Sequence, residues 1–379
     1  MKLTDICEFH GGSQPPKSEW SSEYKYGYIR MLQIRDFTQE GRVTPEYVKI
    51  SNRLRLCTED DILIGRYGAS VGKILSGKSG AYNVAIMKAV PDTSVVRKQY
   101  LRYYFLSPNF QNYILNLGGR AAQAGFSKDD LARLEITVVS LEEQDKIVNE
   151  LSTLEKTIST KQKQLKEFDD LVKSRFIEMF VEKGFKEITF SDYAEIIDGD
   201  RGKNYPKAEE FSDEGYCLFL SAKNVTKDGF LFEQMQFISE EKDNLLRKGK
   251  LCRGDIVITT RGTIGNIAFY DDDIPYDNVR INSGMVIIRQ KEVSFNQIFF
   301  LNAFKNKIDE IKETNVTGAA QPQLPIHIMS KIKLLNPPIE LQNEFADFVK
   351  LIDKSKFIVQ KQIDDLQELL DSKMDEYFG

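Results

Sequence analysis

Two stretches of the sequence have a hydrophobic pattern unlike the rest. From Leu141 to Phe180 there is no Pro or Gly, and Leu151, Ile158, Leu165, Val172 and Met179 fall seven residues apart. Ile147, Leu154 and Phe168 fill a second row beside them. The last 42 residues, 338–379, repeat the pattern with Val349, Ile363 and Leu370, and with Phe345, Ile352, Val359 and Leu366. Lys161 and Lys356 interrupt the seams. Sustained heptads predict long helices that bury one stripe against another helix. A helix of this length runs roughly 58 Å at 1.5 Å per residue. Neither can cover its stripe alone, so the pattern predicts that the two pair with each other as an antiparallel coiled coil.

The remaining residues, 1–140 and 181–337, show short β-branched and aromatic runs broken by Gly, Pro and Asn. "KYGYIRML", "DILIG" and "LEITVV" predict strands. Helices are predicted from Arg97 to Asn116 and from Phe295 to Lys312. These two regions repeat one another. "TDICEFHGG" returns as "SDYAEIIDG", "DILIGRYGASVGKI" as "DIVITTRGTIGNI", and "RAAQAGFSKDDLARLEITVVSLEEQ" as "GAAQPQLPIHIMSKIKLLNPPIELQ". "LVKSRFIEMF" returns as "LLDSKMDEYF". The offset grows only from 187 to 198 residues, which marks a tandem duplication of one large unit rather than a solenoid. The expected organisation is a globule over 1–140, a helix over 141–180, a second globule over 181–337 and a second helix over 338–379. The fold class is α+β, with two similar mixed globules and a pseudo-twofold internal duplication.

Composition narrows the chemistry. Cys7, Cys57, Cys217 and Cys252 are scattered with no CxxC pair, which predicts a reducing, cytoplasmic setting and no zinc or disulfide framework. No apolar run is long enough to span a membrane, and "MKLTDICEF" lacks the pattern of a signal peptide. His10 and His327 are the only histidines, and His327 aligns with Asp129 rather than with a histidine.

Three enzyme readings fail. A phosphate loop in "DILIGRYGASVGKI" would need Gly at Tyr67 and Ser or Thr at Ile74, and Asn266 replaces its lysine in the copy. "NPPI" (Asn336 to Ile339) lacks the aromatic ring of an amino-methyltransferase loop. Pro91-Asp92 is followed by an acid-free stretch to Lys128, so no second carboxylate is at hand for a nuclease metal. That stretch instead holds Arg97, Lys98, Arg102, Arg120 and Lys128 among Tyr100, Tyr103, Tyr104, Phe105, Phe110 and Tyr113. Such interleaving can signal nucleic-acid binding, but at helical spacing it predicts core.

Two similar heads on a fixed spacer suit a ligand with two sites at a set distance, and duplex DNA is the obvious one. The order globule, helix, globule, helix resembles the specificity subunits of Type I restriction–modification enzymes over essentially the whole sequence. The resemblance is carried by that order, by "RAAQ" and "GAAQPQL", and by the "SLEEQDKIV" and "PPIELQNEF" helix starts. The paired "GD-I-apolar…RG-x-x-G" loops add to it. It implies two target-recognition domains, each reading half of a bipartite asymmetric DNA sequence, with no catalysis in this chain. The helices would set the gap and dock two methyltransferase subunits, with restriction or translocase subunits as further partners. S-adenosylmethionine and ATP with Mg would sit in those partners, and no cofactor in this chain.

Gln pairs bidentately with adenine and Arg with guanine. The candidate readers are therefore Gln14, Lys17, Gln33, Arg35, Arg66, Tyr67, Lys73, Arg120 and Gln123 in the first head. In the second they are Arg201, Lys203, Lys223, Asn224, Arg261, Thr263, Gln321 and Gln323. The loops diverge where reading should occur: "GGSQPPKSEW" faces "DGDRGKNYPKAEE", and "QIRDF" faces "SAKNV". A scaffold that holds two protein partners is the alternative, and it gives less reason for this divergence. Net charge is −5. Residues 1–140 carry 19 basic and 14 acidic side chains, the first helix 7 and 9, the second globule 21 and 24, and the last helix 5 and 10. Phosphate contacts dominate DNA affinity, so this balance predicts weak binding by the protein alone.

Overall fold

The computed structural model describes all residues except 40, 119–124, 262, 292–294 and 316–323; the side chains of 118 and 312–315 are also left aside. Contacts divide the protein into two compact units. The first is Met1–Lys163 with Gln360–Gly379, and the second is Gln164–Val359. The long helices, Leu141–Phe176 and Ile339–Phe378, each contribute one part to either unit.

Six principal strands build the first unit: β1 (Cys7–Gly11), β2 (Tyr28–Leu32), β3 (Ile62–Gly65), β4 (Ile74–Leu75), β5 (Gly80–Tyr82) and β6 (Ile86–Pro91). One antiparallel sheet has the order β1-β6-β3-β4. A second sheet is centred on the parallel pair β2 and β5, with Leu32 opposite Tyr82. The "DILIG" run is apolar throughout because both of its faces are covered. Ile62 and Ile64 join Phe9, Met87, Leu101 and Phe105 in one cluster, whereas Leu63 joins Leu32, Leu75 and Tyr82 in another. Full burial of each such side chain stabilises by about 1.5–3 kcal/mol.

The second unit repeats the plan with β7 (Ala194–Asp198), β8 (Cys217–Leu220), β9 (Asp255–Thr259), β10 (Ile267–Tyr270), β11 (Val279–Ile281) and β12 (Met285–Gln290). Its antiparallel sheet has the matching order β7-β12-β9-β10, and β8 pairs in parallel with β11. Ile256 and Ile258 again face one cluster and Val257 the other. The duplication read from sequence is therefore a duplication of topology.

Two local expectations change. The single helix expected from Arg97 to Asn116 is two helices, Lys98–Leu106 and Pro108–Gly118. A residue before proline is pushed out of the helical region, and Ser107 sits at φ −66°, ψ 151°. Its counterpart Gln297–Asn315 has no proline and runs unbroken. "LEITVV" is not a strand: Glu135 makes one isolated bridge to Lys2. Its copy forms Lys333–Leu335, registered over three residues with Glu187–Thr189.

The heptad stripe is buried over part of its length, while Leu154, Leu165, Phe168, Val172, Leu366 and Leu370 are half-buried. Leu151, Ile158, Met179, Phe345, Val349, Ile352, Val359 and Ile363 are all at most 7 % exposed. Within the second unit Arg175 pairs with Glu344 at 3.3 Å and Asp169 with Lys356 at 2.6 Å, so the helix parts run antiparallel. Lys356, the interruption in the seam, is thus neutralised across it. Within the first unit Ile147 and Leu151 pack with Met374 and Phe378, and Glu150 takes a 2.6 Å hydrogen bond from Tyr377. Among the described residues no helix is long and apolar enough to cross a membrane.

Each long helix begins on a buried glutamine. Gln144 is fully buried; its Oε1 accepts from Arg97 N at 2.7 Å, and its Nε2 donates to Val95 O (3.0 Å) and Val139 O (2.9 Å). Gln342 repeats this, accepting from Asn296 N and donating to Pro337 O, both at 2.9 Å. Leu341, which stands where the first copy has Glu143, leaves the bonding intact and packs against the core.

The second unit also contains an interior charge network. Arg280 bonds to Asp243 and donates to Lys248 O (2.7 Å) and Leu246 O (3.2 Å), while Lys250 Nζ lies 2.5 Å from Asp243 Oδ2. Burial opposes ionisation of Asp243, but hydrogen bonds from Lys250 and Arg280 hold its carboxyl below the usual range. Ala81 occupies the matching place in β5 of the first unit.

Removal of one partner of a buried pair leaves an uncompensated charge. Asp243→Ala should therefore lower stability by about 3–5 kcal/mol in urea titrations at pH 7. The Asp243 pKa is lower folded than unfolded, so its stabilisation is complete above about pH 4 and fades as pH falls through the folded value. The variant should lose that part of the acid dependence. Gln144→Ala strands the Arg97 N–H and two carbonyls, and should cost about 1–3 kcal/mol in the same titration.

Candidate nucleic-acid interface

The loops expected to read a ligand leave each unit from a single edge, which backbone hydrogen bonds hold together. In the first unit Gly12 N donates to Ile86 O (3.1 Å), Ser13 N to Tyr82 O (3.0 Å), Asn83 N to Leu32 O (3.1 Å) and Arg66 N to Ala85 O (2.8 Å). The ends of β1, β2, β3 and β5 are thereby gathered into one rim. Gly12 is required there, because a Cβ would run into the Asn83 carbonyl. The second unit builds the same rim. Asn282 N donates to Leu220 O (3.1 Å) and Thr260 N to Gly284 O (2.9 Å), and a Cβ on Gly199 would strike the Asn282 carbonyl.

These bonds fix which positions correspond. Arg66 and Thr260 donate the equivalent bond, so Tyr67 corresponds to Arg261. Lys73 and Asn266 each present the carbonyl that receives the last strand residue, so they correspond as well. The arginines of the two glycine loops are thus one residue out of step. Arg66 folds back: its Nε and Nη2 each lie 3.4 Å from Phe126 O, and its guanidinium stacks 5.0 Å from the Tyr67 ring. Tyr67 rests on Gly125, where a Cβ would meet the ring, and is 41 % exposed. Arg261 is exposed, as are Thr263 and Lys73.

Other candidates divide into exposed and occupied groups. Gln14, Lys17 and Lys203 are exposed on the loops after β1 and β7. Gln33 and Arg35 both bond to Glu46, the former at 2.5 Å. Arg201 pairs with Asp198 at 3.1 Å and donates to Ser283 O at 3.3 Å. Lys223 reaches Gln234 Oε1 at 3.2 Å. Asn224 departs from expectation, being 2 % exposed. Its Oδ1 accepts from Ser221 N (2.9 Å) and its Nδ2 donates to Leu231 O (3.0 Å) and Gln234 O (2.9 Å), so it builds the loop from within. Arg120, Gln123, Gln321 and Gln323 lie outside the described residues.

The basic and aromatic stretch in the first unit is core. Tyr100, Tyr103, Tyr104, Phe105 and Phe110 are at most 2 % exposed, and Arg97 turns to Asp145 on the long helix at 2.8 Å.

The rim also holds residues the sequence did not single out. Arg55 N donates to Ser13 Oγ (3.1 Å), and Arg247 N donates to Asp200 Oδ2 (2.8 Å). Burial works against ionisation of Asp200, yet N–H groups of Gly202, Arg247 and Lys248, with Arg280 nearby, hold its carboxyl below the usual range. The bonded partners lie 42 and 47 residues apart. No short-range pattern could have linked them, and only the topology does.

The family described as Type I restriction modification DNA specificity domain matches residues 1–168 and 182–368. Two curated proteins of Methanocaldococcus jannaschii are similar along the whole length. The Type I restriction enzyme MjaVIII specificity subunit is 24 % identical, and the match spans 97 % of this protein and 89 % of that one. The MjaIX specificity subunit is also 24 % identical, over 98 % and 90 %. Among solved structures, one from work on complex assembly and conformational transition of the type I R-M system aligns at TM-score 0.59 and 14 % identity, over 100 % of this protein and 96 % of that one. The Type I restriction–modification S subunit from M. genitalium aligns at 0.50 and 18 %, over 100 % and 95 %. These likenesses support the fold.

Burial separates two kinds of rim residue. Asn224→Ala should cost about 1–3 kcal/mol in denaturant titrations, since three backbone groups lose their partner. Arg261→Ala should change stability by less than about 0.5 kcal/mol in the same measurement.

Proposed function

The protein belongs to the Type I restriction modification DNA specificity family, and from that premise we propose that each rim reads one half of a bipartite double-stranded DNA target. The observation that carries this reading is one backbone rim built twice with different side chains at corresponding places. The exposed Tyr67 stands against the exposed Arg261, and the exposed Lys73 against Asn266, which is half-buried and donates from Nδ2 to Val225 O at 2.9 Å. An exposed guanidinium suits the O6 and N7 atoms of guanine in the major groove, whereas Tyr67 offers a hydroxyl at the edge of a ring that packs with Arg66 and Gly125.

In this proposal the protein performs no chemistry. Two methyltransferase subunits dock on the long helices and bring S-adenosylmethionine, and ATP-dependent steps belong to further subunits. The helices set the gap between half-sites. Their acidic surplus complements basic partner surfaces, and the partners supply much of the positive field that DNA affinity needs.

Mapping of methylated adenines in cells that carry the protein tests the assignment. Exchange of residues 181–337 for the second head of another family member should change the modified sequence in one half only. A change in both halves, or in neither, overturns the proposal. Within the second head, Arg261→Ala should cost about 1–3 kcal/mol at a single base position and leave the other positions unaffected.

A further inference from the structure

Beside the reading loops, each rim carries a second basic segment, brought there by the sheet rather than by sequence proximity. In the first unit Leu56 lies opposite Ala81, and in the second Lys250 lies opposite Arg280. The parallel pairs Leu32–Tyr82 and Leu220–Ile281 make Ala81 and Arg280 corresponding positions. Leu56 therefore corresponds to Lys250, and the segment just before it to the segment just before Lys250. That segment contains Arg53 and Arg55 in the first unit, and Arg247 and Lys248 in the second. Both are tied to the loop that follows the first strand of their unit, through the bonds from Arg55 N to Ser13 Oγ and from Arg247 N to Asp200 Oδ2.

All four side chains are exposed. None makes an ion pair among the described residues, in contrast to Arg35 with Glu46 and Arg201 with Asp198. Arg247 and Lys203 line the same notch as Asn204, Leu245 and Asp200, whose carboxylate is taken up by the backbone N–H groups of Gly202 and Arg247. The backbone of these segments is pinned, whereas among the described residues no ion pair or side-chain hydrogen bond holds the cationic ends. Attraction to phosphate needs a positive charge held near the backbone and no fixed orientation of the side chain. Elsewhere on the rim the two units differ, as two different half-sites require. Here each segment carries two cations, with Arg53 and Arg247 at corresponding positions, and what any two half-sites share is the phosphodiester backbone.

We propose that Arg53 and Arg55 in the first unit, and Arg247 and Lys248 in the second, bind phosphates of the DNA flanking the bases each head reads. The assignment rests on the reading of the protein as a DNA-target subunit.

The test uses the full-length protein assembled with its methyltransferase subunits and two duplexes, one with the mapped target and one with that sequence scrambled. Affinity is measured across a salt series for the unmodified complex, for Arg53→Ala with Arg55→Ala, and for Arg247→Ala with Lys248→Ala. Each double variant should weaken binding to both duplexes by the same factor, and the slope of log affinity against log salt should shrink by up to roughly 0.9 per lost phosphate contact. The methylated sequence should stay the same. Charge-keeping variants, Arg53→Lys with Arg55→Lys and Arg247→Lys, should restore the slope, which separates a lost contact from a damaged fold. An unchanged slope overturns the phosphate assignment alone. A loss confined to the target duplex makes these residues base readers and overturns it too, and failure of the variants to assemble makes the surface a protein contact. If the unmodified complex does not prefer the target, the reading of the protein falls first and the assignment with it.

Discussion

A buried side-chain amide at the start of each long helix is the joint on which the architecture depends. Gln144 and Gln342 each connect the helix, the segment that leads into it, and the loop before the helix that follows the sheet. An amide carries donors and acceptors in a fixed plane, so it joins these segments in one geometry and is costly to leave half-satisfied in a dry interior. Apolar packing alone would allow the helix to slide or turn on the globule's surface. The amide turns a greasy contact into an oriented one, and it does so at the same place in both copies. This gives the "EEQ" and "ELQ" helix starts a physical meaning, since the residue both retain is the one that bonds.

What was legible in the sequence was what recurs. The heptad rows, the duplicated strand runs and the unbroken helical stretches repeat on a short period or on the long one, and both periods survive into the structure. What was not legible depends on single positions. Pro108 divides a helix that its copy keeps whole. A one-residue difference in distance from the strand end sets Arg66 on the framework and Arg261 in solvent, although both follow an apolar strand and precede glycines. Asn224 has the composition of a reader, but its loop closes around it. Arg53 and Arg247 reach the rim through strand pairing with partners far along the sequence. In each case the deciding bond joins residues that no local window contains.

The two units also differ in how they place charge. Asp200, Asp243, Asp255 and Arg280 of the second unit are all at most 8 % exposed, whereas Asp36 is the buried charged residue of the first among those described. Three carboxylates and one guanidinium are thus interior, and the second globule presents a less acidic surface than its tally of 21 basic and 24 acidic residues suggests. Net charge by segment misjudges that unit as a ligand for DNA, because part of the charge stabilises the fold and meets no solvent.

Most of the bonds that gather each rim run from backbone amide to backbone carbonyl, and beyond Gly12 and Gly199 they call on a few side chains, among them Ser13, Asp200 and Asn224. Under the proposed reading, stability rests largely on backbone atoms and recognition on the exposed side-chain tips. A lineage can redraw the tips of these loops through many substitutions while the lattice beneath stays closed. Such a protein can acquire a new address on the chromosome without passing through an unfolded ancestor.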